Sequence, residues 1–176
     1  MRPFDITKKL VIMAVMVAAL AFAADTQCGG LEAEESVVNF TGTIVKVIGD
    51  VKVRRAAGKD WTAAKQGMEI SVEDQIMTGP DSTADIMFKR SGERSIVRIL
   101  EEADMSLMTV NLDKVTGDSE ILLDLAIGHI IIKTDPLKGK SKFEVLTPTS
   151  MTAVRGTVFE VNVVRESPLG NEDIAQ

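Results

Sequence analysis

Glycine punctuates this chain at 42, 49, 58, 67, 79, 92, 117, 128, 139 and 156, with short runs rich in Val, Ile, Thr and Met in between. "GTIVKVI", "STADIMF", "SIVRIL", "HIIIKTD" and "TVFEVNVV" are such runs, and many alternate apolar and polar residues with period two. Short β-prone pieces bounded by turn residues predict an all-β domain. The best helical periodicity after Ser36 is in "EEADMSLMTV", which is short. With one Trp, six Phe and no Tyr, the aliphatic residues and Met must fill the core. The glycine spacing hints at repeats, but there is no residue-level self-similarity and a long array is not supported.

The stretch "VKVIGDVKVRR" narrows the architecture further. A two-residue hairpin turn at Gly49-Asp50 would pair Ile48 with Val51 and Val45 with Arg54. That puts the valines of one strand on the same face as the cations of the next, and parity decides which face is buried. Either a bulge at Gly49 restores the match, or Gly49 is a corner and the two strands belong to different layers. Both imply a bent sheet: a curled β-roll, a short β-solenoid or a sandwich of many short strands.

The first residues read differently. Arg2, Lys8 and Lys9 precede fifteen apolar residues from Leu10 to Ala24, and Ala21-Phe22-Ala23 has the small-x-small form of a cleavage site. This predicts a signal peptide over residues 1–23, the apolar run being short for a spanning helix. Cleavage removes three basic residues and one acidic one, moving the formal net charge from −6 to −8. Such a chain is not expected to bind nucleic acid or to insert stably in a membrane. Residues 24–36 read as a flexible linker, 37–164 as one β domain and 165–176 as a disordered tail. The single cysteine, Cys28, excludes an internal disulfide. Lipidation of Cys28 is the less favoured reading: Gly29 and Gly30 suit it, whereas Asp25-Thr26-Gln27 do not.

Catalysis needs convergent titratable or nucleophilic groups, and the sequence offers no such set. His129 is the only histidine and has no motif partner, so it reads as an ordinary strand residue. Asp113, Asp118 and Glu120 lack the alternate oxygen ligands of a calcium loop, and Lys138, Lys140 and Lys142 read as a soluble loop. No metal, no cofactor and no enzymatic activity are expected.

The late stretch "TPTSMTAVRGTVFEV" resembles the hallmark of the FecR domain family, in which a Thr-Pro step leads into Val-Arg-Gly-Thr and an aromatic-bearing strand. The matching residues are Thr147, Pro148, Val154, Arg155, Gly156, Thr157 and Phe159. Upstream, Trp61, Gly67, Asp74, Thr78 and Gly79, with Ser82 and Ala84, are similar to the same family, so that the likeness runs over about 37–164. Glu73-Asp74 stands where the family usually has Gly-Asp, and "KRSGERS" replaces its usual Asp-Gly-Ser turn. The chain resembles the stand-alone exported FecR-domain proteins, and sigma-factor control is not carried over. The resemblance implies an all-β, extracytoplasmic, non-catalytic domain that works through protein or envelope contacts.

Within the hallmark, Pro148 biases Thr147 toward extended geometry and Gly156 lets the backbone turn or approach another strand. Arg155 offers five donors in a fixed fork. Its expected role is structural, pairing with Asp74 or Asp81 to tie the last strand to "VEDQIMTGPDS"; the rival role is a surface Arg that reads a ligand carboxylate. The expected function is a protein-binding, scaffolding or signal-sensing module, periplasmic or extracellular, with an envelope protein as partner. The alternative is a carbohydrate or cell-wall binder, for which one Trp and no Tyr supply little stacking surface.

Overall fold

The computed structural model describes residues 36–90, 92–156 and 158–164. The expected signal peptide, Cys28, nearly all of the linker, Thr157 and the tail lie outside them. Among the described residues every regular element is a strand, as the sequence implied. "EEADMSLMTV" is no exception: its apolar residues Met105, Leu107 and Val110 are buried in a strand paired on both sides.

The architecture is one antiparallel sheet folded over on itself along a line of corners. β2 (Gly42–Ile48) turns into β3 (Val51–Arg54) at Gly49-Asp50, and β6 (Gln75–Thr78) into β7 (Thr83–Arg90) at residues 79–82. β8 (Glu93–Ile99) turns into β9 (Asp104–Asp113) at residues 100–103. β10 (Ser119–Thr134) makes the same turn without interruption, through a register shift between Leu125 and Ile127. One layer therefore runs β3-β6-β9-β10 and the other β2-β7-β8-β10, in matching order. β4 (Trp61–Ala63) borders β3, and β5 (Glu69–Ile70) borders β2. β1 (Val37–Asn39) pairs with the far end of β9. β2 and β3 do not pair with each other, so Gly49 is a corner between layers and not a hairpin turn or a bulge.

Side-chain hydrogen bonds lace the corners together, because each corner interrupts the backbone ladder that would otherwise satisfy its polar groups. Thr78 Oγ1 donates to Leu100 O at 2.6 Å and accepts from Ala103 N at 3.0 Å. Ser82 Oγ donates to Pro80 O and accepts from Asp50 N, both at 2.8 Å. Gly128 has φ +102°, and a Cβ there would lie 2.4 Å from Ala103 Cα. Only glycine lets β10 bend against the neighbouring corner.

Inward positions on both layers build one core. Ile86, Phe88, Val97, Ile99, Ile130 and Ile132 come from one side; Val53, Ile76, Met105, Leu107, Leu123 and Phe143 come from the other. Phe88 and Phe143 meet edge-to-face at 6.4 Å. Burying each such side chain contributes about 1.5–3 kcal/mol. Far from the corners the interior turns polar. Arg90 and Glu93 are buried there, Arg90 Nη1 donates to Ser95 Oγ at 3.2 Å, and Ser95 bonds Thr134 at 2.7 Å. Burial lowers the Arg90 pKa, while Glu93 and Asp135 act to raise it.

The chain then adds a hairpin and a final strand on one side of β10. β11 (Lys142–Leu146) pairs parallel to the first half of β10, and β12 (Met151–Val154) pairs with β11. β13 (Val158–Val163) crosses to the other layer and pairs antiparallel with the second half of β10. Among the described residues β12 and β13 each pair on one side only.

Candidate functional site

The sequence-predicted motif residues divide by position. Asp74 is 2% exposed and lies under the β3–β4 loop. Its Oδ2 accepts from Arg55 Nη1 at 2.6 Å and from Ser71 N at 2.9 Å, and its Oδ1 accepts from Ala56 N at 3.1 Å. Thr78 and Gly79 belong to the corner line, where Gly79 N donates to Asp50 O at 2.9 Å. Gly67 N donates to Ile44 O at 2.7 Å. Trp61 is half-buried, with the Arg54 guanidinium 5.0 Å over its ring. Arg54 in turn bonds Gln75, and Gln75 bonds Asp104 Oδ1 at 2.5 Å, a polar ladder across the outer face of that layer.

Arg155 does not do what the sequence suggested. It is exposed at the crossing from β12 to β13, and among the described residues it forms no ion pair. The Asp74 carboxylate belongs to Arg55 instead, a neighbour that a long-range reading of the hallmark passes over. Asp81 is also exposed, at a positive-φ turn position. The adjacent Gly156 is the structural half of the pair: φ is +94°, and a Cβ would lie 2.8 Å from Pro136 Cα. Val154 is buried, and Phe159 packs against the core. Arg155→Ala should therefore change the unfolding free energy by no more than about 0.5 kcal/mol, as for other exposed substitutions. A urea melt checks this, and a loss of several kcal/mol would restore the fastener role.

Thr147 and Pro148 form the β11–β12 hairpin turn. Thr147 N donates to Ser150 O at 2.8 Å, and Ser150 N returns a bond to Thr147 Oγ1 at 3.0 Å. Thr147 is thereby buried, while Pro148, Thr149 and Ser150 face out. This turn walls an open trough of about 580 Å³ at the β10 bend, whose other wall is the end of β13 at Val161, Asn162 and Val163, with Val164 beyond. Asp104 and Ile127 continue it into a second trough of about 450 Å³ lined by Met77, Thr78 and Glu102. The lining mixes apolar side chains with Thr147, Thr149, Ser150, Asn162 and two carboxylates, and among the described residues no Lys or Arg lines either trough.

Beside the trough runs the free edge of β13. Leu100 N donates to His129 O, so the backbone groups of His129 point toward β8. Those of Ile130 therefore point toward β13, where Ile130 faces Val161. By alternation the N–H and C=O groups of Val158, Glu160 and Asn162 point away from the sheet. Val158 is 65% exposed and Val164 74%. Natural edges are guarded by charged residues, above all Lys, by Pro, by bulges or by cover; β13 contains neither Pro nor Lys, and Glu160 is its one charge.

The other candidates carry no site chemistry. His129 lies within β10, its Nε2 2.5 Å from Glu160 Oε1 but not aligned as a hydrogen bond. Asp113 accepts from Val115 N at 2.8 Å and Thr116 N at 3.3 Å, and these bonds lower its pKa. Asp118 Oδ1 accepts from Lys140 N at 2.9 Å. Both carboxylates cap turns. Among the described residues there is no cluster of three or more potential metal ligands, and no helix is long and apolar enough to cross a membrane.

No curated protein and no solved structure matches the chain. A family model, FecR protein, matches residues 74–169. The match begins at Asp74, so Trp61 and Gly67 precede it, and it takes in the elements from β6 to β13 that build most of the corners, the Thr147–Ser150 turn and the trough. On that match, which spans more than half of the sequence, the chain belongs to the FecR family.

Proposed function

We propose that the protein is an exported, non-catalytic binding module of the cell envelope, which takes up an extended segment of a partner protein as an added strand on β13 and so serves a sensing or scaffolding role. The observation that carries this reading is the β13 edge beside the trough, unpaired among the described residues: its outward backbone groups supply affinity, and the trough supplies side-chain selectivity. Membership of the FecR family supports an envelope regulatory setting, and the basic, apolar and small-residue order of the first 24 residues supports export.

A photo-crosslinking residue at Ser150 tests the reading in cells. It should capture a protein, whereas the same group at Lys114, on the β9–β10 turn, should not. Asn162→Pro removes an outward N–H without touching the β10 ladder, a placement that edge strands tolerate, and it should abolish capture. Asn162→Lys, which guards the edge electrostatically, is the second variant should the first fail to fold. Capture that survives in a folded variant, or capture of glycan alone, would overturn strand addition.

A further inference from the structure

We infer that the segment taken up on β13 alternates apolar residues with basic ones; this rests on the strand-addition reading above. A strand added to β13 alternates its side chains between the two faces. On the inner face it meets Phe159, Val161 and Val163, whose burial is incomplete or borderline at this edge, and apolar residues fit there. On the outer face it meets Val158, Glu160, Asn162 and Val164, of which Val158, Glu160 and Asn162 are exposed along the strand itself. Lysine and arginine suit this row, because their aliphatic stems can lie on the two exposed valines while the charged head reaches Glu160.

The trough continues the same preference. Among the described residues, the charged groups that line the troughs are Asp104 and Glu102, with Asp124 on the adjoining strand. Among the described residues the Lys and Arg nearest this edge, Lys133 opposite Val158 and Arg155 just before it, sit at its other end, and His129, opposite Asn162, has its Nε2 2.5 Å from Glu160 Oε1.

The test uses the purified protein and three labelled synthetic peptides, alternating valine with lysine, with serine and with glutamate, read by fluorescence anisotropy. The lysine peptide should bind about tenfold more tightly than the glutamate peptide at low salt, as two or three partly exposed charge contacts allow. The preference should shrink as salt rises. Glu102→Gln with Glu160→Gln should reduce it to about twofold by the same reckoning. Equal binding of all three peptides would overturn the basic preference yet leave strand addition standing. A preference that persists in the double variant would place the selectivity elsewhere and overturn the assignment. Failure of every peptide to bind would overturn this inference, and the Ser150 capture experiment would then decide the underlying reading separately.

Discussion

Gly128→Ala is expected to remove most of the stability of the domain. Two costs combine at this position. An alanine at φ +102° occupies backbone space that side chains rarely adopt, at about 1–3 kcal/mol. Its Cβ would also stand 2.4 Å from both Cα and Cβ of Ala103, and the first of these cannot rotate away. Relief requires opening the corner between β8 and β9 or straightening β10. The sum should exceed about 4 kcal/mol, against a total of about 5–15 kcal/mol for a natural domain. Gly92 is the internal control, since it has φ +82° and nothing within 4 Å of a built Cβ. Gly92→Ala should therefore show the backbone cost alone, about 1–3 kcal/mol. Urea melts of the two variants decide the matter. Equal losses would mean that β10 does not press against Ala103.

Asp74→Ala should cost about 3–5 kcal/mol, because it strands three donors around a buried site. Those donors are Arg55 Nη1, Ser71 N and Ala56 N, and two of them are backbone groups that cannot turn elsewhere. Arg55→Ala should cost less, about 1 kcal/mol, since Arg55 is half-exposed and Asp74 keeps its two backbone bonds. A double-mutant cycle gives the sharper result. Asp74→Ala and Arg55→Ala should couple by about 0.5–3 kcal/mol, whereas Asp74→Ala and Arg155→Ala should add. Coupling to Arg155 in place of Arg55 would reinstate the long-range fastener.

These two positions also show what could be read in advance. Glycine spacing and period-two runs pointed to an all-β chain, and the parity conflict at Gly49-Asp50, with Val45 and Val47 set against Val51 and Val53, required either a bulge or a corner between layers; the corner is what forms. Because side-chain direction alternates strictly along a strand, a sequence can reveal that a sheet must bend before any partner strand is known. The hallmark residues were legible for a similar reason, since turns and corners demand particular local chemistry at Thr78, Thr147 and Gly156. "KRSGERS" marked a turn, but nothing local in it signals that Arg90 and Glu93 face inward.

What the sequence determined by itself was therefore the kind of element, the need for a bend and the residues that shape turns, all of which depend on neighbours along the chain. Tertiary structure alone decided that Arg55 and not Arg155 holds Asp74, that among the described residues β13 ends its layer as an edge, and that the Thr147–Ser150 turn and Asp104 share one trough. The physical reason is common to all three. An ion-pair partner, a free edge and a groove are properties of which strands lie side by side, and the surplus of carboxylates and cations in this chain allows many pairings that only the packed arrangement resolves.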